Sequence, residues 1–282
     1  MHLIDGKKIS QNILRGIRDG IASHKTRPGL AVVLIGDDSA SHLYVNLKEK
    51  ASTEVGINFF KFIFDENISQ KEVISKIGDL NQDRNVNGII VQLPLPEKFD
   101  SQEIINAISP RKDVDGFHPL NLEEFFKDKS LLDPVFPRAI MKMIEHTLRE
   151  SEKEAKNAVI VVNSDKFGSV MSKTLQKKGI ESKIVFCEDM LNEEKKDSIK
   201  NDLLNAQIVI SACGKPGLIN ASMIKDGAII IDGGIKKEGK KVLGDVDINS
   251  FKDTDCFVTP VPGGVGPMTV ACLLENVYLV SA

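Results

Sequence analysis

The sequence predicts an α/β fold with parallel sheets, divided into two lobes. Apolar runs rich in Val and Ile recur along the 282 residues, and helical patterns lie between them. The runs are nearly continuous in hydrophobic residues, as in parallel strands that are buried on both faces. Alternation of such strands with helices is typical of parallel sheets with right-handed crossovers. The length is ample for two domains of ordinary size.

The apolar runs form one set in the first half of the chain and a second set in the rest. The predicted strands are 30–36, 59–64 and 88–95, then 158–163, 183–187, 207–213, 227–234 and 257–261. Helical patterns are clearest at 41–55, 70–80, 167–178 and 193–205. The charge-rich segment 149–157 interrupts the alternation and indicates a solvated face near a domain boundary.

Composition excludes several classes of function. The formal net charge of −3 provides no basic surface for nucleic acid or for an anionic membrane. No apolar run is long enough to span a bilayer, and the first residues lack the pattern of a secretion signal. The four cysteines are scattered without CxxC pairing, which favours buried thiols in a reducing cytoplasm. We therefore expect a cytoplasmic protein with no nucleic-acid partner, no membrane partner and no metal site.

Two motifs in the first half of the chain carry candidate catalytic groups. Tyr44 and Lys48 lie one helical turn apart and share a face, and a lysine in an apolar pocket can act as a base. The same spacing is common in surface pairs. Gln92 lies in VQLPLP (91–96), at the carboxyl end of a predicted strand, where open α/β sheets bind ligands. A turn with an incidental glutamine is the alternative.

Two loops are candidates for ligand binding. KDVDGF (112–117) places two carboxylates beside a glycine, with too few converging oxygens for a metal. One acid could accept hydrogen bonds from the N–H groups of a ligand, and a turn or cap role is the alternative. TPVPGGVGPMT (259–269) contains three glycines and then Pro267, which suits the first turn of a helix. Exposed N–H groups at the start of that helix would face a polar or anionic ligand.

The segment 158–174 has the form of a buried strand, a tight turn and a helix, as in dinucleotide-binding folds. Its turn lacks most of the glycines that admit a pyrophosphate, and Asp165 stands where an anion would bind. Gly168 is the glycine that remains in the turn, NSDKFGSV (163–170).

Taken together, the motifs resemble those of the methylenetetrahydrofolate dehydrogenase/cyclohydrolase family, and the resemblance covers essentially the whole chain. It comprises Tyr44-x-x-x-Lys48, VQLPLP, KDVDGF, AQIVISACGKPG (206–217), MIKDGA (223–228), GDVD (244–247) and PVPGGVGPMT. The last motif is highly specific. The resemblance implies a homodimer that binds tetrahydrofolate derivatives. It also implies a folate and catalytic domain of residues 1–137, completed by a C-terminal helix within 262–282, and a Rossmann-like domain of residues 138–261.

The resemblance also implies roles for individual residues. Lys48 resembles the catalytic lysine that promotes hydrolysis of the methenyl bridge, Gln92 the partner that holds it, and Tyr44 the ring that stacks on the aminobenzoate. The substrate-binding residues it implies are Asp115, which would grip the pterin, and Gly264, Val265 and Pro267, which would close over the folate. The cofactor-binding residues it implies are Ser164, Asp165, Gly168, Glu188, Gly214 and Ile235.

The chain departs from the family pattern on the cofactor side. The family turn reads Gly-Arg-Ser-x-x-Val-Gly-x-Pro. In this chain, Ser164 stands in place of the arginine, Asp165 in place of the serine and Val170 in place of the proline. Glu188 and Asp189 follow the next strand, where the family often has His-Ser. A 2′-phosphate needs a cation, whereas an acid at the end of that strand accepts from a 2′-OH. The resemblance implies NADP as the family's default cofactor, whereas the residues leave NADP, NAD and no cofactor as three open cases.

Three functions agree with these residues. The first is a bifunctional enzyme that oxidises methylenetetrahydrofolate and hydrolyses the methenyl product to formyltetrahydrofolate. The second is a cyclohydrolase alone, with a degenerate cofactor site. The third is a non-catalytic folate-binding paralogue, against which the presence of Lys48 and Gln92 argues.

Overall fold

The computed structural model describes residues 1–22, 27–239 and 241–281, and it has an α/β architecture. The helices are α1 Gly6–Ile21, α2 Ser39–Val55, α3 Gln70–Gln82, α4 Ser101–Asn106, α5 Pro119–Phe126, α6 Val135–Glu150, α7 Asp165–Gln176, α8 Glu193–Asn205 and α9 Val265–Leu279. The strands are β1 His2–Leu3, β2 Gly29–Ile35, β3 Asn58–Phe64, β4 Gly88–Val91, β5 Asn157–Val162, β6 Glu181–Phe186, β7 Ile208–Ala212, β8 Ile229–Asp232, β9 Lys236–Glu238, β10 Lys241–Leu243 and β11 Phe257–Val258. Short 3-10 turns lie at Asp189–Leu191, Ala221–Met223 and Ile248–Phe251.

The chain forms two compact units, each assembled from separate stretches of sequence. The three-stranded unit consists of Gln11–Phe136 and Val270–Ala282, of which Ala282 and residues 23–26 lie outside the described residues. The six-stranded unit consists of Met1–Ser10 and Pro137–Thr269. The helices α1, α6 and α9 each begin in one unit and end in the other.

In the three-stranded unit, β2 lies between β3 and β4, and both pairings are parallel. All seven residues of β2 are buried, because a central strand covered on both faces has no solvent side. The unit's core includes Ala31, Val33, Ile77 and Ile104. The helix α3 begins with a capping box in which the side chains of Ser69 and Glu72 each accept a backbone N–H group.

In the six-stranded unit, the sheet has the order β1-β11-β8-β7-β5-β6 and all its pairings are parallel. The strand β5 has β6 on one side and β7 on the other, so the strand order reverses at β5. Such a reversal leaves a crevice at the carboxyl ends of the strands, and dinucleotides bind there in open α/β sheets. The strands β9 and β10 form a separate antiparallel hairpin.

The predicted strands and helices agree with the structure to within a few residues, and the differences have local causes. The run 88–95 ends as a strand at Val91, since Pro94 and Pro96 cannot continue a hydrogen-bonded ladder. The strand β1 is only two residues long and too short to have a periodic pattern. Because β1 pairs with β11, residues 1–10 lie in the six-stranded unit, whereas the sequence places them in the first domain.

The helix α9 returns to the three-stranded unit, as predicted. Its residues from Val270 onward belong to that unit, and the buried Asn276 side chain donates a hydrogen bond of 2.9 Å to the backbone oxygen of Val114. Pro267 lies in the first turn of α9. Among residues 1–22, 27–239 and 241–281, no helix is long and apolar enough to cross a membrane.

Candidate active site

The three-stranded unit joins Lys48 to Gln92 directly. Lys48 lies on α2, and its Nζ donates a hydrogen bond of 2.8 Å to Gln92 Oε1. Gln92 follows the last residue of β4, and its backbone N–H donates to the backbone oxygen of Val33 on β2 at 2.8 Å. This hydrogen bond fixes the backbone from which the Gln92 side chain extends. Its Nε2 donates to the backbone oxygen of Leu93 at 2.6 Å, which leaves Oε1 facing the lysine.

Electrostatics favour a reactive amine at Lys48. Burial lowers the pKa of the Lys48 amine, and the negative charge of Asp115 opposes that change. Tyr44 lies one turn earlier on α2, and burial raises the pKa of its phenol. The phenol is therefore neutral at physiological pH and presents a ring without charge.

The structure assigns different roles to the two acids of KDVDGF. The buried Asp113 accepts hydrogen bonds from the backbone N–H groups of Gly116 (3.1 Å) and His118 (2.8 Å) and from the Asn121 side chain (2.9 Å). These bonds hold the turn. No residue that the structure describes donates a hydrogen bond to the Asp115 carboxylate. A carboxylate that structural hydrogen bonds do not use can accept from a ligand.

Burial raises the pKa of Asp115 to about 6. The amine of Lys48 lowers that pKa and the carboxylate of Asp113 raises it further. The two groups therefore share one electrostatic environment, because each changes the pKa of the other.

The loop that carries Gly264, Val265 and Pro267 lies in the six-stranded unit. The N–H group of Gly264 donates to the backbone oxygen of Pro260 at 2.8 Å, and the N–H group of Lys7 donates to that of Gly263 at 3.1 Å. The N-terminal segment thus holds this loop in place. The helix α9 begins at Val265.

The turn between β5 and α7 begins a helix at the carboxyl edge of the six-stranded sheet. Ser164 is the N-cap of α7, and its side chain accepts a hydrogen bond from the backbone N–H of Phe167 at 3.3 Å. Asp165 is the first residue of that helix. A methyl group on Gly168 would lie 3.2 Å from side-chain carbons of both Val162 and Ile184. Gly168 therefore allows α7 to pack closely on the sheet, as one glycine of the dinucleotide fingerprint does.

The remaining predicted cofactor residues follow neighbouring strands of this sheet. Glu188 lies two residues after β6, and Asp189 beside it forms an ion pair of 2.7 Å with Lys195. Gly214 follows β7 with a φ of +67°, and a methyl group there would lie 3.4 Å from the backbone oxygen of Ile235. The edge thus offers a helix N-terminus, close backbone approach and an acid, which together fit a dinucleotide.

Sequence reasoning assigned no role to Asp232 and Asp245, which are buried at the same edge. The Asp245 carboxylate accepts from Ser211 Oγ at 2.6 Å, and Asp232 accepts from the backbone N–H of Asp245 at 3.0 Å. The signal was present in GDVD and in DGG (232–234), where an acid follows or precedes glycine. In the part of the chain that the structure describes, no three His, Cys, Asp or Glu side chains converge on a metal position.

Comparisons with known proteins identify two family domains in this chain. Residues 4–115 match the model of the tetrahydrofolate dehydrogenase/cyclohydrolase catalytic domain, and residues 134–282 match that of the family's NAD(P)-binding domain. The bifunctional protein FolD of Staphylococcus aureus (strain Newman) is 38% identical over 281 residues, which cover 98% of this chain and 95% of that protein.

Solved structures give the same result. The bifunctional FolD methylenetetrahydrofolate dehydrogenase/cyclohydrolase of Campylobacter jejuni is 37% identical with a TM-score of 0.88, and covers 100% of this chain and 98% of its own. The Trypanosoma brucei dehydrogenase-cyclohydrolase, solved with NADP and an inhibitor, is 29% identical with a TM-score of 0.88, over 99% of this chain and 96% of its own.

These findings confirm the predicted fold class and the predicted family. They also confirm the predicted role in one-carbon folate metabolism, with dehydrogenase and cyclohydrolase steps and a nicotinamide cofactor. The interpretation without a cofactor has no support, since the family's NAD(P)-binding domain matches throughout residues 134–282. The chain belongs to the tetrahydrofolate dehydrogenase/cyclohydrolase family.

Proposed function

We propose that this chain oxidises methylenetetrahydrofolate with NAD and hydrolyses the methenyl product to formyltetrahydrofolate, using Lys48, Gln92, Tyr44 and Asp115. The observation that carries the proposal is the 2.8 Å hydrogen bond between Lys48 Nζ and Gln92 Oε1, in the same electrostatic environment as the free Asp115 carboxylate. In this proposal residues 1–137 with 262–282 serve folate binding and catalysis, and residues 138–261 bind the dinucleotide.

Each side chain has a separate task in hydrolysis. The Asp115 carboxylate accepts hydrogen bonds from N–H groups of the pterin, and the Tyr44 ring stacks on the aminobenzoate. Gln92 Oε1 fixes the Lys48 amine, which accepts a proton from the water that attacks the cationic methenyl carbon. The new C–O bond gives a carbinolamine, whose hydroxyl proton passes to one nitrogen as the C–N bond to that nitrogen breaks. The product carries a formyl group on the other nitrogen. The lowered pKa of Lys48 increases the fraction of amine that is free to accept that proton.

In the oxidation step, a nicotinamide dinucleotide would supply the acceptor for the hydride of the methylene carbon when bound. The chain's own contribution is to bind and orient both partners. Gly264, Val265 and Pro267 supply the loop that closes over the folate in this proposal. Ser164, Asp165, Gly168, Gly214 and Ile235 lie along the dinucleotide side, where Ser164 caps the helix and Gly168 lets that helix pack against the sheet.

Charge at the dinucleotide edge favours NAD over NADP. A 2′-phosphate needs a cation, and Ser164 stands where the family has an arginine. Glu188 follows the second strand of the binding unit, where an acid accepts hydrogen bonds from a ribose 2′-OH. Like charges a few Å apart repel by roughly 4 kcal/mol at an effective dielectric of 20, enough to lower affinity about a thousandfold.

The cofactor assignment is tested by dehydrogenase kinetics with each dinucleotide. We expect kcat/KM for NAD to exceed kcat/KM for NADP by about tenfold or more. In Glu188→Ser, the ratio of these two values should fall by about tenfold. Glu181→Ser is the matched control, because Glu181 lies at the opposite end of β6. It should leave the ratio unchanged. A wild-type preference for NADP would contradict the assignment.

The three-stranded unit offers a surface for a homodimer. The strand β3 pairs only with β2 among the described strands, so its other edge is open. Leu43 and Leu47 on α2 and Ile63 on β3 are each nearly half exposed. Open apolar edges are typical of surfaces that a second copy covers. Sedimentation equilibrium should give twice the chain mass for the wild type and a lower mass for Ile63→Lys. A wild-type monomer at micromolar concentration would contradict the dimer.

The proposed location is the cytoplasm. Cys187, Cys213, Cys256 and Cys272 are all buried and none of the four forms a disulfide, as is usual for thiols in a reducing compartment.

A further inference from the structure

Two buried carboxylates organise the part of the dinucleotide edge formed by β7 and β8. Asp245 accepts from Ser211 Oγ at 2.6 Å and from the backbone N–H groups of Cys213 (2.7 Å) and Lys215 (2.6 Å). Asp232 accepts from the N–H groups of Gly234 (3.0 Å), Asp245 (3.0 Å) and Val246 (2.9 Å). Five backbone N–H groups from three loops therefore converge on these two side chains.

The packing around the pair leaves no room for larger residues. A methyl group on Gly234 would lie 2.1–2.2 Å from the carboxylate atoms of Asp245, and one on Gly244 would lie 2.0 Å from Asp232 Oδ2. Only glycine permits such an approach of backbone to carboxylate. The positions of the loops that follow β7 and β8 thus depend on the two acids. These loops carry Gly214 and Ile235.

Charge at the pair is not compensated by a cation. In the described part of the chain, no lysine, arginine or histidine forms an ion pair with either acid. Asp245 is fully buried and Asp232 nearly so. Burial raises the pKa of Asp232 to about 6, and its three backbone N–H donors oppose that change. Above pH 7 the Asp232 carboxylate is therefore expected to be ionised.

The fold places one half of the cofactor over this pair. In such sheets the pyrophosphate lies at the first helix N-terminus, and the adenosine ribose reaches the acid that follows the second strand. In this chain the first helix is α7, which follows β5, and the acid is Glu188, which follows β6. Both lie on the part of the sheet edge formed by β5 and β6. When bound, the nicotinamide half would therefore extend the other way, toward β7 and β8. A cavity of about 330 Å³ opens there, lined in part by Gly217, Asp232, Gly244 and Thr259.

We propose that Asp232 and Asp245 are positioning residues for the nicotinamide half of the cofactor, through the loops that they hold and through their negative charge. The inference rests on the proposed dehydrogenase function. The nicotinamide ring carries a positive charge when oxidised and none when reduced. Uncompensated carboxylates beneath it favour the oxidised cofactor, whereas loop positioning alone affects both redox forms equally.

Calorimetric titration of NAD⁺ and NADH separates the two contributions. We expect Asp245→Asn at pH 8 to raise the Kd of NAD⁺ at least about tenfold and that of NADH less than about threefold. Ser211→Ala removes a hydroxyl donor to Asp245 without changing charge, so it should raise both Kd values by a similar factor. Cyclohydrolase kcat/KM should stay within about twofold of the wild type in both variants, because hydrolysis does not use the dinucleotide.

Asp253→Asn is the matched control, since Asp253 is an exposed acid of the same unit and lines neither the pair nor the cavity. It should leave both Kd values unchanged. An unchanged ratio of the two Kd values in Asp245→Asn overturns the role of charge, and unchanged Kd values in Ser211→Ala overturn loop positioning. If Asp245→Asn does not fold, the ratio of the Kd values of NAD⁺ and NADH is measured in Asp232→Asn instead. If neither variant folds, the Kd values of Ser211→Ala decide for or against loop positioning. Wild-type protein that binds neither dinucleotide would instead overturn the proposed function.

Discussion

Replacement of Lys48 by methionine is expected to lower the rate of methenyl hydrolysis about 10²- to 10⁴-fold while the fold stays intact. Methionine retains most of the apolar stem, so the packing of α2 is preserved. The variant loses the amine that donates to Gln92 at 2.8 Å and that accepts the proton of the attacking water in the proposed reaction. Stopped-flow decay of methenyltetrahydrofolate absorbance measures the effect, and circular dichroism checks the fold.

Lys50→Met is the matched control, because Lys50 lies on the same helix with a side chain that is 75% exposed. It should hydrolyse the substrate at the wild-type rate. Lys48→Arg adds a second comparison, since a guanidinium keeps the positive charge but cannot accept a proton. We expect it to be as slow as Lys48→Met. Near wild-type hydrolysis in either Lys48 variant would show that the amine is not the base.

Replacement of Asp115 by asparagine is expected to weaken folate binding about 10- to 100-fold, because a hydrogen bond to a charged group contributes about 1.5–3 kcal/mol. The same change should stabilise the fold at pH 8. Burial raises the pKa of this carboxyl to about 6, from its ordinary value of 3.8, so the folded state binds the proton more tightly than the unfolded state does. The ionised carboxylate therefore destabilises the fold above pH 6.

The expected gain in Tm for Asp115→Asn is largest at pH 8 and disappears as the pH falls below 3.8, where both states become protonated. Wild-type affinity for folate should fall as the pH drops below 6, since the protonated acid no longer accepts two hydrogen bonds. Thermal melts and folate titration across this range test both statements. A lower Tm for Asp115→Asn at pH 8, or unchanged folate affinity, would contradict the assignment.

Asp113→Asn is the contrasting variant, since Asp113 already accepts two backbone N–H groups and the Asn121 amide. An asparagine side chain there presents a donor to one of those N–H groups, and the turn loses hydrogen bonds. We expect a lower Tm at every pH, the reverse of the result for Asp115→Asn.

Most of the fold could be predicted from the sequence, because strands buried on both faces need continuous apolar runs. The segment 30–36 predicts β2 to within one residue, and 193–205 matches the bounds of α8. The strand β1 could not be predicted, since two residues have no period and its pairing with β11 joins positions 255 residues apart. Such a long-range pairing leaves no local signal.

The candidate site could also be predicted only in part from the sequence. The spacing of Tyr44 and Lys48 predicts a shared helix face, and the strand-end position of Gln92 predicts a polar group at a sheet edge. The hydrogen bond between Lys48 and Gln92 spans 44 positions and depends on where α2 packs. The different roles of Asp113 and Asp115 could not be predicted either. Two identical side chains two positions apart differ only in which backbone N–H groups the turn directs at them.

The discontinuity of both units affects the order in which the chain can fold during synthesis. Domains usually fold on the ribosome as they emerge, beginning with the N-terminal one. Here the three-stranded unit opens at Gln11, yet its last segment starts at Val270, and Asn276 supplies a hydrogen bond to the loop that carries Asp115. The six-stranded unit likewise needs Met1–Ser10 together with residues up to Thr269. Neither unit can therefore close before nearly all of these 282 residues have left the exit tunnel, and the surroundings of Lys48 are completed only after α9 has emerged.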